Sequence, residues 1–168
     1  MAAPEDKTVR LRGSDGEAVE VSEKVITAAS STVKGVLESG GPAAAGGVVE
    51  LPDLAAATLS RVVEYVKRHF EGGVAPPDEP SFFGPSDDDP LARFDDELVA
   101  VGGDALVDLV HAADLLKIGR LKDLACRAVA EQMKGKSIEE IRKVFGIVND
   151  YTKEEEEEVR RENSWAFD

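Results

Sequence analysis

The stretch TVRLRGSDGEAVEVS, Thr8 to Ser22, decides how the fold begins. Val9, Leu11, Val19 and Val21 alternate with polar neighbours on either side of Ser14-Asp15-Gly16. Successive side chains on a strand point to opposite faces, so this alternation around a glycine-containing turn predicts a β-hairpin. Ser22 then stands where a helix cap belongs, ahead of Val25, Ile26 and Ala29, and a second short helix is expected over Val33 to Leu37. SGGPAAAGG, Ser39 to Gly47, is too rich in glycine for anything but a loop. VVELP, Val48 to Pro52, predicts another strand, ended by Pro52, with Asp53 as the cap of the helix behind it. In that helix Leu59, Val62, Val63, Val66 and Phe70 recur at helical spacing, one apolar stripe to lie against the sheet.

Composition then changes. Between Gly72 and Arg93 stand Pro76, Pro77, Pro80, Pro85 and Pro90, five of the chain's eight prolines, with SDDD among them. Proline removes backbone donors and like charges resist collapse, so a mobile acidic loop is expected there, with Phe82 and Phe83 as its odd members. Beyond it the chain reads as helical. Leu106, Leu109, Val110, Ala113 and Leu116 mark one helix; Leu121, Leu124, Ala125, Ala128 and Val129 mark the next, with Gly119 as the break. SIEE sets Ser137 and Glu140 as a capping box before Ile141, Val144 and Phe145, and TKEE repeats the device with Thr152 and Glu155.

The 168 residues suit one domain, or a domain with an extension. Hydrophobic residues make up 42% but aromatics only 5%, so the core must be built of Val, Leu, Ile and Ala. A net charge of −14 argues against nucleic acid and against anionic membranes, because both need clustered Lys and Arg. Cys126 is the lone cysteine, which excludes an intrachain disulfide and suits a reducing compartment. No apolar run nears transmembrane length and MAAPEDKTVR lacks a hydrophobic signal core, so an intracellular protein is expected.

Catalytic and cofactor signals are missing. His69 and His111 lie in separate helical segments, and no metal-ligand spacing, phosphate-cradling glycine loop or nucleophile elbow is legible. His111 follows the stripe residue Val110 and reads as a partly buried structural histidine; Cys126 reads as core. No cofactor, no metal and no catalytic residue is expected. Turnover of a substrate by the isolated chain is what would revive an enzymatic reading.

The C-terminus, NDYTKEEEEEVRRENSWAFD, is where the chain fails to satisfy itself. Its last helix carries Glu154 to Glu158 and contributes only Val159 to an interior before Trp165 and Phe167 arrive. Three exposed aromatics would present roughly 450–750 Å², more than monomers ordinarily leave in one patch. Ile141, Val144, Phe145, Ile147, Tyr151, Val159, Trp165 and Phe167 therefore either fold back on the domain or form an incomplete core that another protein's helices finish. Glutamates at the helix start and Arg160 and Arg161 near its end suit the helix dipole, so the helix can stand with little burial.

MKGKSIEEIRKVFGIVNDYTKEEEEEVRRENSWAFD closely resembles the C-terminus of the Skp-type adaptors (the S-phase kinase-associated protein family). The likeness continues through VRLRGSDGE, VVELPD and LVHAADLLKIGRLKDLACRAVAEQMKGK, so it spans Val9 to Asp168, and the ENSWAFD ending resembles plant members. The resemblance implies an α/β (α+β) fold: a POZ/BTB-like N-terminal half, a small sheet with helices, followed by an all-helical F-box-binding extension. It divides the chain into a flexible N-terminus (1–7), a POZ/BTB-like domain (8–71), the acidic proline-rich loop (72–93) and a helical region (94–168). That last region completes the POZ fold to about residue 134, and residues from about 110 onward contribute to F-box binding.

Such adaptors connect an F-box protein, which chooses the substrate, to a cullin scaffold whose RING subunit recruits the ubiquitin-conjugating enzyme. Nuclear and cytoplasmic localisation goes with that role. Residue by residue, the resemblance implies Val129 and Met133 as the floor of the F-box interface, Ile141, Phe145, Ile147, Asn149 and Tyr151 packing on F-box helices, and Val159 and Trp165 closing the far side. The free chain would self-associate weakly through the same surface.

Departures from the family pattern are informative. Asp114 and Leu115 stand where Asn-Tyr is usual and faces the cullin, so an added charge and a lost hydroxyl fall at that contact. A runner-up reading follows, an F-box-binding stabiliser that does not engage a cullin. Ile138 replaces a proline in the first turn of its helix, Gly146 and Val148 replace Asn and Lys in the F-box region, Phe94 replaces tryptophan, and Tyr151 replaces phenylalanine.

Overall fold

The expected hairpin forms, and a third strand joins it. In the computed structural model, which describes residues 7–41, 46–74 and 90–166, β1 (Thr8–Arg12) and β2 (Ala18–Ser22) pair antiparallel with Val9 opposite Val21 and Leu11 opposite Val19. β3 (Val48–Glu50) runs parallel to β1 on its other side, giving the order β2-β1-β3. Val9, Leu11, Val21 and Val49 are buried on one face, with Val19 partly buried beside them, while Val48 falls on the other face next to Arg10.

The turn of the hairpin does more than reverse the chain. Gly13 lies against Leu54 and Ala56 so closely that a Cβ there would meet the Leu54 carbonyl oxygen at 2.6 Å. From this position Asp15 Oδ2 accepts a hydrogen bond from the Ala56 amide at 3.0 Å. That amide opens α3 (Ala56–His69), the helix whose stripe of Leu59, Val62, Val63 and Val66 is buried on the sheet. The cap expected of Asp53 is therefore supplied by Asp15, because Ala55 holds the cap position and offers no side-chain oxygen. Ser22 likewise fails as a cap: it precedes α1 (Glu23–Ala29), but its hydroxyl makes no capping bond and is enclosed without a hydrogen-bond partner.

Ser30 is the cap that works. Its Oγ accepts from the Val33 amide at 3.2 Å at the start of α2 (Ser31–Glu38) and donates to the Leu116 carbonyl at 2.5 Å, 86 residues away. Thr32 Oγ1 donates beside it to the Leu115 carbonyl at 2.9 Å. Both carbonyls lie at the end of α5 (Gly103–Leu115), the central helix, in which Leu106, Leu109, Ala112 and Ala113 are fully enclosed. The following α6 (Gly119–Met133) packs along it through Leu121 and Ala125. The break between them is made at Lys117, which takes a left-handed φ of 55° while the Ile118 amide reaches back to the Ala113 carbonyl at 2.9 Å. Gly119, read from the sequence as the break, instead opens α6.

α4 (Pro90–Val99) begins at Pro90, inside the stretch assigned by composition to the acidic loop, since proline suits the first helical position. It is tied to α3 by His69 Nε2 and Asp95 Oδ1, 2.7 Å apart, and by Arg68 over the Phe94 ring at 5.2 Å. Tyr65 stacks on His69, and burial, helped by the Asp95 charge, pushes its phenol up to about 12. Most of the expected loop, with Phe82 and Phe83, lies outside the described residues, as do residues 1–6 of the N-terminus and residues 42–45 of the glycine-rich loop. His111 and Cys126 are exposed, which corrects the buried readings of both. Their neighbours Ala112, Ala113 and Ala125 are the side chains enclosed there. No helix is long and apolar enough to cross a membrane, and among the described residues no group of His, Cys, Asp and Glu is arranged to hold a metal.

Because Ser30 is fully buried, removing its hydroxyl leaves the Val33 amide and the Leu116 carbonyl short of a partner. Ser30→Ala should lower stability by about 2–3 kcal/mol in urea unfolding, and Ser31→Ala, exposed beside it, by less than about 0.5 kcal/mol. Equal effects of the two substitutions would remove Ser30 from its proposed place in the fold.

Candidate functional site

After Met133 the chain stops burying itself. α7 (Ile138–Val144) and α8 (Lys153–Glu162) contain no buried residue. Each starts with the capping box expected from sequence. Glu140 N donates to Ser137 Oγ at 3.2 Å while Ser137 N donates to Glu140 Oε2 at 2.8 Å; Thr152 and Glu155 repeat both distances. The Thr152 backbone amide, and after it the Thr152 side chain, hold the Glu155 carboxyl below the usual range. The helices are thus specified locally, as short helices with little burial must be.

α7 ends in a left-handed residue. Gly146 has φ 63° and the Ile147 amide donates to the Arg142 carbonyl at 2.8 Å, the closing bond of a Schellman motif. Asn and Gly are the residues that tolerate this conformation, so Gly146 in place of asparagine keeps the helix end. The turn also brings Phe145 against the start of α5. A Cβ on Gly103 would run into the Val144 carbonyl and would lie 2.9 Å from the Phe145 ring. Phe145 is therefore half-buried, anchored on α5 as well as available to a partner.

The residues singled out from sequence fall into two groups. Val129, Ile141 and Phe145 are half-buried, and Val129 packs on the main core. Met133, Ile147, Tyr151, Val159 and Trp165 are among the large hydrophobics most open to solvent, Trp165 at 77%. Asn149 is exposed, and its Oδ1 accepts from the Tyr151 amide at 3.2 Å, which bends the linker between α7 and α8. The fold-back alternative is thus not taken up by Trp165; Phe167 lies outside the described residues. Sequence reasoning left Val148 off the binding set although it is the most exposed of these side chains, at 83%, and it left out Gly103, whose importance appears only when Phe145 is placed against it. A shallow groove lined by Val99, Leu124, Ala128 and Gln132 lies between α4 and α6 next to this region.

Asp114 and Leu115 lie at the end of α5. Asp114 is exposed, and Lys122 Nζ approaches its Oδ1 at 2.6 Å. The hydrogen bond from Lys122, reinforced by its charge, holds the Asp114 carboxyl below its usual range and raises the Lys122 ammonium in turn. The charge that Asp114 adds at this position is thus partnered within the chain. Leu115 is half-buried against the core, so it fills space that belongs to the fold.

Comparison with known proteins places these observations in one lineage. Residues 7–71 match the Skp1 family, tetramerisation domain, and residues 120–166 match the Skp1 family, dimerisation domain. SKP1-like protein 4 of Arabidopsis thaliana is 43% identical over 96% of this chain and 97% of its own length. The E3 ubiquitin ligase complex SCF subunit sconC of Arthroderma otae is 36% identical, covering 100% of this chain and 99% of its own. The SCF ubiquitin ligase complex protein SKP1b of Dictyostelium discoideum is also 36% identical, over 95% and 96%. The chain belongs to the Skp1 family.

Gly103 joins the exposed helices to the core, so Gly103→Ala should dislodge Phe145. Overpacking of this kind costs about 1–3 kcal/mol. Amide exchange at Ile141 to Phe145 should accelerate at least about tenfold while the α5–α6 amides stay protected. Unchanged exchange in α7 would show that the contact at Gly103 does not hold it.

Proposed function

We infer that the chain is the adaptor subunit of an SCF ubiquitin ligase, bridging an F-box substrate receptor to a cullin scaffold and carrying out no bond chemistry itself. The observation that carries this reading is full-length similarity to proteins named as SCF subunits, combined with a C-terminal set of exposed apolar residues the chain leaves uncovered. Met133, Ile147, Tyr151, Val159 and Trp165 would be covered by F-box helices, with Val129, Ile141 and Phe145 beneath them and Asn149 shaping the linker. The cullin would meet the end of α5 around Asp114 and Leu115 and would bring the RING subunit with it. Lys122 supports this, because a neutralised carboxylate is far cheaper to cover than a bare one. Nuclear and cytoplasmic residence follows from the role.

Leu115 favours the second reading, an F-box-protein stabiliser outside the cullin pathway, since it offers no hydroxyl and is partly spent on the chain's own core. Calorimetry separates the two. The chain, co-purified with an F-box domain, is titrated with a cullin N-terminal domain beside the double variant Asp114→Asn/Leu115→Tyr. Tight binding by the unmodified chain establishes the adaptor; binding only by the variant establishes the stabiliser. In the same format Trp165→Ala should weaken F-box binding by more than about 1 kcal/mol, as large exposed aromatics that become desolvated generally do. The free chain is expected to self-associate weakly through the uncovered residues, and a strictly monomeric mass at high concentration would count against that.

A further inference from the structure

α8 has no core to lie on and α7 touches the body through the Val144–Phe145 contact at Gly103, and the contacts that set one helix against the other are ionic. Arg160 Nη2 lies 3.0 Å from Glu139 Oε1 and 3.6 Å from Glu156 Oε1, and Glu156 Oε1 lies 3.5 Å from Arg142 Nη1. Early α7 thus meets late α8, and late α7 meets early α8, so the two helices run antiparallel. This places the acidic start of each helix beside the basic end of the other, and the same four side chains complement both one another and the helix dipoles. At helical spacing Ile141 and Phe145 fall on the far side of α7 from Glu139, while Arg142 lies about 60° from Phe145, so the ionic seam and the apolar surface are adjoining faces that meet at Arg142. Arg142 and Glu156 are its more sheltered members, with side chains 21% and 29% exposed.

We propose that Glu139, Arg142, Glu156 and Arg160 form an ionic clasp that positions the F-box-docking surface, fixing partner affinity without touching the partner. The clasp rests on the F-box reading above. It acts through α8, which carries Val159 and leads into the short helix Ser164–Ala166 with Trp165. A single exposed ion pair has little influence where a packed core competes with it, but between helices that bury nothing a connected network is the main restraint. Opening it spreads α8 over more arrangements, and apparent affinity falls by the fraction that remains competent to dock. Salt should therefore weaken docking through the clasp, even though the docking residues themselves are apolar.

The test uses the full chain, its Arg142→Met/Arg160→Met variant and an F-box domain fused to a soluble carrier, with affinity read by calorimetry at about 50 mM and about 500 mM salt. The unmodified chain should lose about tenfold in affinity across that range. The variant should bind about tenfold more weakly at low salt and lose most of its salt response, and Arg142→Lys/Arg160→Lys should recover most of the low-salt affinity. A variant that binds as tightly as the unmodified chain overturns the proposal. So does one that binds weakly yet keeps the full salt response, because the arginines would then be contacting the partner directly. Amide exchange across Lys153 to Glu162 in the free chain is measured alongside. Faster exchange in the Met variant is required, and this readout decides the clasp even if the F-box domain binds neither chain, an outcome that would sink the F-box reading instead.

Discussion

One buried hydroxyl bonds the two halves of this protein to each other across the core they share. Ser30 Oγ caps α2 and donates to the Leu116 carbonyl at the end of α5, with Thr32 bonded to the neighbouring carbonyl. The last carbonyls of any α-helix lack partners within the helix, and burying them uncompensated is costly. Here the N-terminal half supplies the partners. The end of α5 can therefore lie inside the molecule, and the Ala112-Ala113 surface can pack closely there. The same end carries Asp114 and Leu115. A hydrogen bond between distant segments thus fixes where the cullin-facing residues of the proposed adaptor stand.

Left-handed residues then direct the chain between the later helices, at Lys117, Gly135 and Gly146. Lys117 turns it from α5 into α6, and Gly146 turns it from α7 toward Asn149 and Tyr151. Lysine bears a Cβ and has no special tolerance of positive φ, so the turn at Lys117 is imposed by its surroundings, chiefly the buried Ile118 and its bond to Ala113. Glycine at 146 needs no such enforcement. The turn at Lys117 is held by the core, the one at Gly146 by the residue itself, in keeping with how little core lies near α7.

What could be read from the sequence was whatever neighbours encode. The hairpin, the stripe of α3 and both capping boxes depend on residues a few positions apart, and each was legible. The Asp15 cap on α3 was not, because it joins a turn to a helix 41 residues on, while Asp53 offered a nearer candidate of the right type. His111 and Cys126 were misread for a related reason: adjacency to an apolar stripe says little about which side of it a residue occupies. For the candidate surface, Ile141, Phe145, Ile147, Tyr151, Val159 and Trp165 were legible as an incomplete core, Val129, Met133 and Asn149 came from the family resemblance, and their exposure came from the structure. Val148 was noticed only as a departure from the family pattern, and its exposure appears only in the structure. Lys122 escaped because its meaning depends on Asp114 across the α5–α6 turn.

The distribution of burial has a functional consequence. Leu106, Leu109, Leu116, Ile118 and Leu121 are enclosed around α5, whereas the last two helices enclose nothing. A ten-residue helix in water is marginal on its own propensity, and caps and ion pairs add only fractions of a kcal/mol to about one each. The body can therefore be stable while α8 remains adjustable. Such a surface, if it is the F-box site proposed above, can accommodate partner sequences that differ in shape, since reordering α8 disturbs no core. The cost is that part of every partner's binding energy goes into ordering the helix, so affinity becomes sensitive to anything that orders it beforehand. Stability in the body and adjustability at the end are thereby complementary, and the sequence achieves the second by placing Glu154 to Glu158, Arg160 and Arg161 on a helix that carries Val159 as its one large aliphatic.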